Sequence, residues 1–297
     1  MTQRLYDMIV VGGGPAGYTA ALYAVRAGLD TLVLEKLSAG GQMALTETID
    51  NYPGYPEGVE GFTLAQTMQA QAERFGAKTV YAEVTKMELA GSTKTLTTSE
   101  GIFTARTVVL AMGANPRTLG LPEEAELIGR GVAYCAACDG MFYKGKTVVV
   151  VGGGNTAAAD ALLLSRIAEK VHLVHRRDTL RATKIYHKPL EKAENVQFHW
   201  NSTVTAIRHG DTVTGVQLRD TATGAVTELP CDAVFVSIGR QPATELVQGQ
   251  LALDPGGYIL ADETTRTSLP GVFAAGDLRT KPMRQVVTAV ADGAVTV

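Results

Sequence analysis

One nucleotide-binding pattern occurs twice in this sequence, and that repeat constrains the fold more than any other feature. In "DMIVVGGGPAGYTAALYAVRAGLDTLVLEK" a β-branched run at residues 8–11 leads into Gly12, Gly14 and Gly17, a helix-like stretch and a second apolar run ending at Glu35. Gly12 makes the tight turn, Gly14 lets a pyrophosphate reach the backbone, and Gly17 lets helix and strand pack closely. Pro15 and Ala16 open a helix whose free N–H groups and dipole favour phosphate. Glu35, with Lys36 behind it, stands where a carboxylate accepts hydrogen bonds from a ribose diol. In "KTVVVVGGGNTAAADALLLSRIAEKVHLVHRR" the fingerprint returns as Gly152, Gly154 and Ala157, with Asn155 and Thr156 completing the turn.

The spacing separates the two halves chemically. Glu35 lies 23 positions after Gly12, and 23 positions after Gly152 lies His175, followed by Arg176, Arg177 and Arg181. A 2′-phosphate on the adenosine ribose is repelled by an acid and gripped by guanidinium groups. The second unit is therefore expected to take NADP(H), the first an adenosine with a free ribose. The expected fold is α/β: two Rossmann-like dinucleotide-binding domains of the three-layer ββα type, the second inserted into the first.

A further echo marks the boundaries. "TVVLAMGANP", containing Gly113, and "AVFVSIGRQP" are both apolar strands ending in Gly-x-x-Pro. Residues 1–115 with 245–297 are expected to form a discontinuous outer domain and 116–244 an inner one, with the two crossings as a double-stranded hinge. Residues 81–111 read as a small antiparallel meander, and 196–230 as a comparable β-rich stretch in the second unit.

Size and charge narrow the classes. A chain of 297 residues accommodates two domains, and an apolar fraction of 45% with 19% charged residues is that of a globular protein. A net charge of −3 gives no reason to expect nucleic acid or an anionic membrane as partner. No charged-then-apolar leader precedes the first strand, and no apolar run reaches the roughly 18 residues of a bilayer span. Three cysteines do not make a disulfide scaffold in a chain this long, so the expected compartment is the cytoplasm.

Two of those cysteines sit in "VAYCAACDGMF", and three readings compete for Cys135 and Cys138. A structural zinc site needs four ligands, and the remaining Cys231 and the five scattered histidines offer no partner pair at finger-like spacing. Idle thiols leave the adjacent Asp139 unexplained. The third reading is a redox dithiol, with Asp139 as the acid that protonates a leaving thiolate. Beside two dinucleotide sites, such a dithiol implies electrons passing from NADPH through a flavin to the disulfide, and on to an outside partner. Cys231, opening an apolar strand, reads as a buried structural thiol.

With these motifs assembled, the sequence closely resembles the bacterial-type, low-molecular-weight thioredoxin reductases over nearly its whole length. The resemblance is carried by "GGGPAG", "GGQM", "NYPG", "CAACDG", "GGGNTA", "HRRDTLRA" and "GVFAAGDLRTKPMRQVVTAVADGA". It implies that Gly276 and Asp277 hold the flavin ribityl and phosphate, with Arg284 and Gln285 near the flavin ring. It further implies flavin contacts from Pro15, Ala16, Glu35, Gly41, Gln42, Asn51 and Val84. By the same resemblance Cys138 faces the flavin, Cys135 attacks the substrate disulfide and Asp139 donates the proton. FAD, NADPH, a thioredoxin partner, a homodimer and a rotating middle domain are likewise implied.

The chain departs from the family pattern at Ala159 and Asp160, where relatives commonly carry a Glu pair, and relatives continue beyond Val297 within the closing helix. Rival readings differ in their motifs. A peroxide-system flavin subunit carries an N-terminal extension with its own dithiol, and a ferredoxin–NADP reductase lacks the C-x-x-C. A ferredoxin-driven thioredoxin reductase loses the basic turn and second fingerprint. A flavin dithiol oxidase shares the sequence features but consumes O₂ and ignores NADPH, and a non-enzymatic NADPH-sensing module needs neither the intact cysteines nor Asp139.

Overall fold

A computed structural model describes residues 4–297. The chain divides into two compact units, Met1–Asn115 with Gln241–Val297, and Pro116–Arg240. The return crossing thus falls at 240/241, four residues before the boundary expected at 244/245.

The first unit opens with β1 (Leu5–Val11), α1 (Pro15–Arg26), β2 (Thr31–Glu35), α2 (Gly61–Arg74) and β3 (Lys78–Tyr81). A meander follows, β4 (Val84–Glu88), β5 (Lys94–Thr98) and the long β6 (Gly101–Leu110). Strands β3, β2, β1 and β6 lie parallel in that order. The apolar run of β1 reads continuously because both its faces are covered. Met8 and Val10 join Ala20, Ala24, Leu64 and Ala65 of the helices in one core. Ile9 and Val11 join Met87, Leu89 and Leu96 of the meander side in another. The pleat sends alternate residues to opposite layers, which makes the three-layer arrangement.

The crossings, β7 (Ala114–Pro116) and later β16 (Arg240–Pro242), pair as a two-stranded sheet. Between them the second unit runs β8 (Val132–Ala133), α3 (Ala136–Asp139), β9 (Thr147–Val151), α4 (Asn155–Leu164), β10 (Lys170–Val174), α5 (His187–Lys192) and β11 (Val196–His199). A separate antiparallel sheet of β12 (Ser202–His209), β13 (Val213–Asp220) and β14 (Val226–Pro230) comes next, then β15 (Ala233–Val236). The parallel sheet is ordered β11, β10, β9, β15, β8. The same division recurs: Val148 and Val150 pack with α4, while Val149 and Val151 pack with Ile207, Val213 and Val216. Residues 196–199 do not open the meander but extend the parallel sheet beside β10, because Val196 and Phe198 pack into the helix-side core.

After the return crossing, β17 (Val272–Ala274) pairs parallel with the end of β6, and α6 (Val286–Val295) packs on α1. Strand β6 therefore carries β5 beside its first half and β17 beside its second.

Candidate functional site

The first glycine turn is built to the tolerance its residues demand. Gly12 sits at φ +102°, where a side chain would run into the Ala111 carbonyl, and a methyl group on Gly17 would collide with the Gly12 carbonyl. Gly14 precedes α1, and no side chain caps the first turn of that helix, so its leading amides face outward with Pro15 behind Gly14. The Glu35 carboxylate accepts from Gly13 N at 2.6 Å and from Leu37 N at 3.1 Å, which fixes it beside the turn. Lys36 points away into an exposed ion pair with Glu83 at 2.8 Å. Ala82 N donates to the Glu35 carbonyl, which brings the start of β4, with the half-buried Val84, near the same strand end.

Three further segments converge on this turn. Gly40 N donates to the Gly13 carbonyl at 2.7 Å and places Gly41 and Gln42 alongside, with Gln42 Nε2 on Asn115 Oδ1 at 3.1 Å. Gly113, at φ +70°, leaves the end of β6. Gly276, at φ +82°, approaches Ala16 so closely that a Cβ there would lie 3.1 Å from the Ala16 Cβ. Arg284 bonds the Asp277 carbonyl through Nε at 3.3 Å and lies over the Tyr258 ring, and Asn51 Nδ2 donates to Gln285 Oε1 at 3.1 Å. Uncapped amides, glycines lying where side chains would collide, a carboxylate at the strand end and Asp277 at the helix-facing loop fit a dinucleotide with a free ribose.

The second turn repeats the backbone with different side chains. Gly152 is at φ +149° under the Ser237 carbonyl, Ala157 is fully buried and α4 again has no side-chain cap. The loop after β10 folds over the turn: Arg181 N and Ala182 N donate to the Gly153 carbonyl at 2.7 and 3.0 Å, and Thr183 N to Asn155 Oδ1 at 2.8 Å. Thr156 is exposed, as are Arg176, Arg177 and Arg181, and none of these three arginines forms an ion pair among the described residues. His175 is buried with its ring against Gly153, and its Nε2 meets no hydrogen-bond partner among the described residues. Burial, then the charges of Arg181, Arg176 and Arg177, push its pKa below the ordinary value, so the ring is neutral and packs under the turn. The outward positive charge comes from the arginines, which fits a 2′-phosphate.

Cys135 and Cys138 are joined as a disulfide, their Cα atoms 5.3 Å apart. Cys135 is extended and precedes α3, whose single turn is closed by Cys138 N and Asp139 N donating to the Cys135 carbonyl at 3.2 and 3.0 Å. Both sulfurs and Asp139 are therefore held in one hydrogen-bonded turn. Both cysteines and Asp139 are half-buried, and burial pushes the Asp139 carboxyl up to about 6, poised to hold a proton near neutrality. Cys231 is buried and its thiol is pushed up to about 12, first by burial, which leaves it inert.

Several residues escaped the sequence reading. Glu124, almost fully buried, accepts from Leu119 N and Gly120 N at 2.9 Å and from the Tyr134 hydroxyl at 2.8 Å, anchoring the residue before Cys135. Asp160 accepts from Ser237 Oγ at 2.6 Å and ties α4 to the strand end above Gly152. Arg279, Lys281 and Asp292 form a buried charged group next to Gly276. Only the departure at Asp160 was visible beforehand; the others depend on contacts that no local spacing displays.

Known proteins resemble this chain along most of its length. A family model described as pyridine nucleotide-disulphide oxidoreductase matches residues 6–293. The thioredoxin reductase of Treponema pallidum is 48% identical over 98% of this chain and 94% of its own length. That of Listeria monocytogenes is 45% identical over 98% and 91%. The crystal structure of thioredoxin reductase from Streptococcus pyogenes superposes with a TM-score of 0.91 at 42% identity, covering 99% of this chain and 96% of that one. The family model and these relatives each run along nearly the whole of the chain, which belongs to the pyridine nucleotide-disulphide oxidoreductase family.

Proposed function

We propose that this chain is an NADPH-dependent flavoenzyme that reduces the disulfide of a thioredoxin. One observation carries the reading: the closed Cys135–Cys138 disulfide and its proton-holding Asp139 lie in the same unit as the arginine-bearing nucleotide turn, while the other unit holds a second, acid-bearing turn. The names of the Treponema, Listeria and Streptococcus relatives support the substrate.

Residues 1–115 and 241–297 hold FAD through Gly12, Gly14, Pro15, Ala16, Gly17, Glu35, Gly41, Gln42, Asn51, Val84, Gly113, Gly276, Asp277, Arg284 and Gln285. When bound, the flavin supplies a hydride acceptor that passes electrons on to sulfur. Residues 116–240 bind NADPH through Gly152, Gly154, Asn155, Thr156 and Ala157, with Arg176, Arg177 and Arg181 on the 2′-phosphate. Two electrons and two protons convert the Cys135–Cys138 bond to a pair of thiols. The Cys135 thiolate attacks the partner disulfide, one partner sulfur bonds to Cys135 and the other leaves. Cys138 then attacks Cys135, remaking the disulfide and releasing the second partner thiol. Asp139 delivers protons to departing sulfur. Overall, NADPH, a proton and oxidised thioredoxin give NADP⁺ and the dithiol. The inserted unit turns about its paired crossings between half-reactions, and the enzyme works as a cytoplasmic homodimer.

The test is an NADPH-driven assay with thioredoxin and a chromogenic disulfide. Turnover dependent on FAD and on both cysteines is expected; a colourless protein in the presence of FAD, or oxygen consumption with a small dithiol in place of NADPH oxidation, overturns the reading.

A further inference from the structure

The first unit contains a group of buried charges that neither the glycine turn nor the electron route requires. The side chains of Arg279, Lys281 and Asp292 are only 9%, 4% and 8% exposed. Arg279 reaches both Asp292 oxygens, through Nη2 at 2.6 Å and Nε at 2.9 Å, and Lys281 Nζ adds a third contact at 2.8 Å. Other donors of the two cations reach backbone carbonyls. Arg279 Nη1 bonds the carbonyls of Ala261, Asp262 and Thr280, and Lys281 Nζ that of Thr288 at 3.1 Å. Two cations surround one anion. Burying ions is costly compared with an apolar replacement, so the group is poorly explained as a stabilising device alone.

What Asp292 holds besides its cations is more telling. Its Oδ2 also accepts from Gly276 N at 2.8 Å, the residue before Asp277. The next residue of α6, Gly293, lies so close to α1 that a Cβ would collide with the Ala16 carbonyl and come within 2.9 Å of Ala20 N. One turn of α6 therefore touches both elements assigned to the flavin: the Gly276–Asp277 loop through a carboxylate, and the start of α1 through a bare backbone. Arg284 fastens the loop from its other end, with Nη2 on the Arg279 carbonyl at 3.2 Å.

We propose that Asp292, clamped between Arg279 and Lys281, is a positioning residue for the first nucleotide site, setting the Gly276 amide and Asp277 against the leading turn of α1 before the dinucleotide arrives. This rests on the flavin-binding reading of the first unit. Asp292 is ionised at neutral pH: burial alone would raise its carboxyl, but hydrogen bonds from Arg279, Lys281 and Gly276 N hold it below the ordinary range. A preorganised loop binds without the ordering cost that a loose one incurs, so the effect falls on ligand affinity.

Three quantities test this in chain freed of flavin: FAD affinity by quenching of flavin fluorescence, the fine structure of the bound flavin's visible band, and affinity of the second unit for 2′,5′-ADP. In Asp292→Asn the FAD dissociation constant is expected to rise by about tenfold or more, with a blurred band, while 2′,5′-ADP binds as before. Because that variant leaves two buried cations unpaired, the triple variant Arg279→Met, Lys281→Met, Asp292→Leu is measured beside it. It removes every ion without stranding one, and losing the backbone partners of Arg279, Lys281 and Asp292 is expected to lower its melting temperature modestly. It is expected to stay folded, bind 2′,5′-ADP as the parent does and lose FAD affinity to the same degree as Asp292→Asn. Parental FAD affinity and band shape in the triple variant would overturn the proposal. Failure of the parent chain itself to bind FAD would instead overturn the flavin reading on which it rests.

Discussion

The two nucleotide turns share a backbone and differ at one strand end. In the first, β2 ends in Glu35, whose carboxylate draws the Gly13 amide to 2.6 Å. In the second, β10 is followed by His175, whose neutral ring lies against Gly153 while the Gly153 carbonyl accepts from the loop bearing Arg181. A single acid both steadies the first turn and places the negative charge at its strand end. In the second unit those duties are divided, with an uncharged ring bracing the turn from below and arginines outside it. The glycine backbone is common to both turns, and the charge presented at the strand end is what differs: one carboxylate at Glu35 in the first, the exposed Arg176, Arg177 and Arg181 in the second.

The dithiol is the sharpest difference, since only the second unit has one. Cys135→Ser and Cys138→Ser are each expected to abolish disulfide reduction while flavin affinity stays unchanged; full turnover of either in the thioredoxin assay would remove the dithiol from the mechanism. Asp139→Asn is expected to lower turnover about a hundredfold. Because the Asp139 carboxyl is held up to about 6, its protonated fraction, and the stability that form contributes, are full below pH 4 and lost as pH rises through about 6. The wild-type rate of disulfide reduction should therefore decline above pH 6, and a rate–pH profile that keeps this inflection in Asp139→Asn would contradict the assignment.

The turns themselves are tested by exchanging their charges. Replacing Arg176, Arg177 and Arg181 by Gln is expected to raise the KM for NADPH some thirtyfold and leave that for NADH nearly unchanged, as lost charge-assisted hydrogen bonds require. An unaltered ratio of the two would mean that the arginines do not read the 2′-phosphate. Glu35→Gln is expected to weaken FAD about fivefold, since the amide still accepts from Gly13 N but loses the charge; fluorescence titration of the apoprotein reads this directly.

Much of the architecture was legible because glycine spacing, apolar runs and strand-end charges are local demands of the backbone. The alternation of Met8, Ile9, Val10 and Val11 between two cores follows from the pleat once both faces are covered. Other features are tertiary. His175 stands at a ligand position in sequence, yet in the fold its ring is buried against Gly153, a placement that depends on the loop folded over the turn. The short run at 196–199 resembles the meander that follows, yet the apolar core beneath α4 and α5 claims it for the parallel sheet. Asp292 and Arg279 are 13 positions apart with no common period, and only the fold makes them a pair. Glu124 gave no warning of its bond to Tyr134, since nothing local marks an acid as buried.

Dividing the first unit around the second also sets an order of assembly during synthesis. The inserted stretch is continuous and is finished when the ribosome has reached Arg240, so nothing it needs for its own sheets remains to be made. The outer unit must wait for β17, α6 and the Gly276–Asp277 loop, all encoded after that point. Until they arrive, one side of β6 stays open along residues 108–110, and the start of α1 lacks the Gly276 loop that closes on Ala16. A ribosome stalled between those two points would have made the whole inserted unit on an unfinished outer one, and the first glycine turn could gain its Gly276 neighbour only near the end of translation.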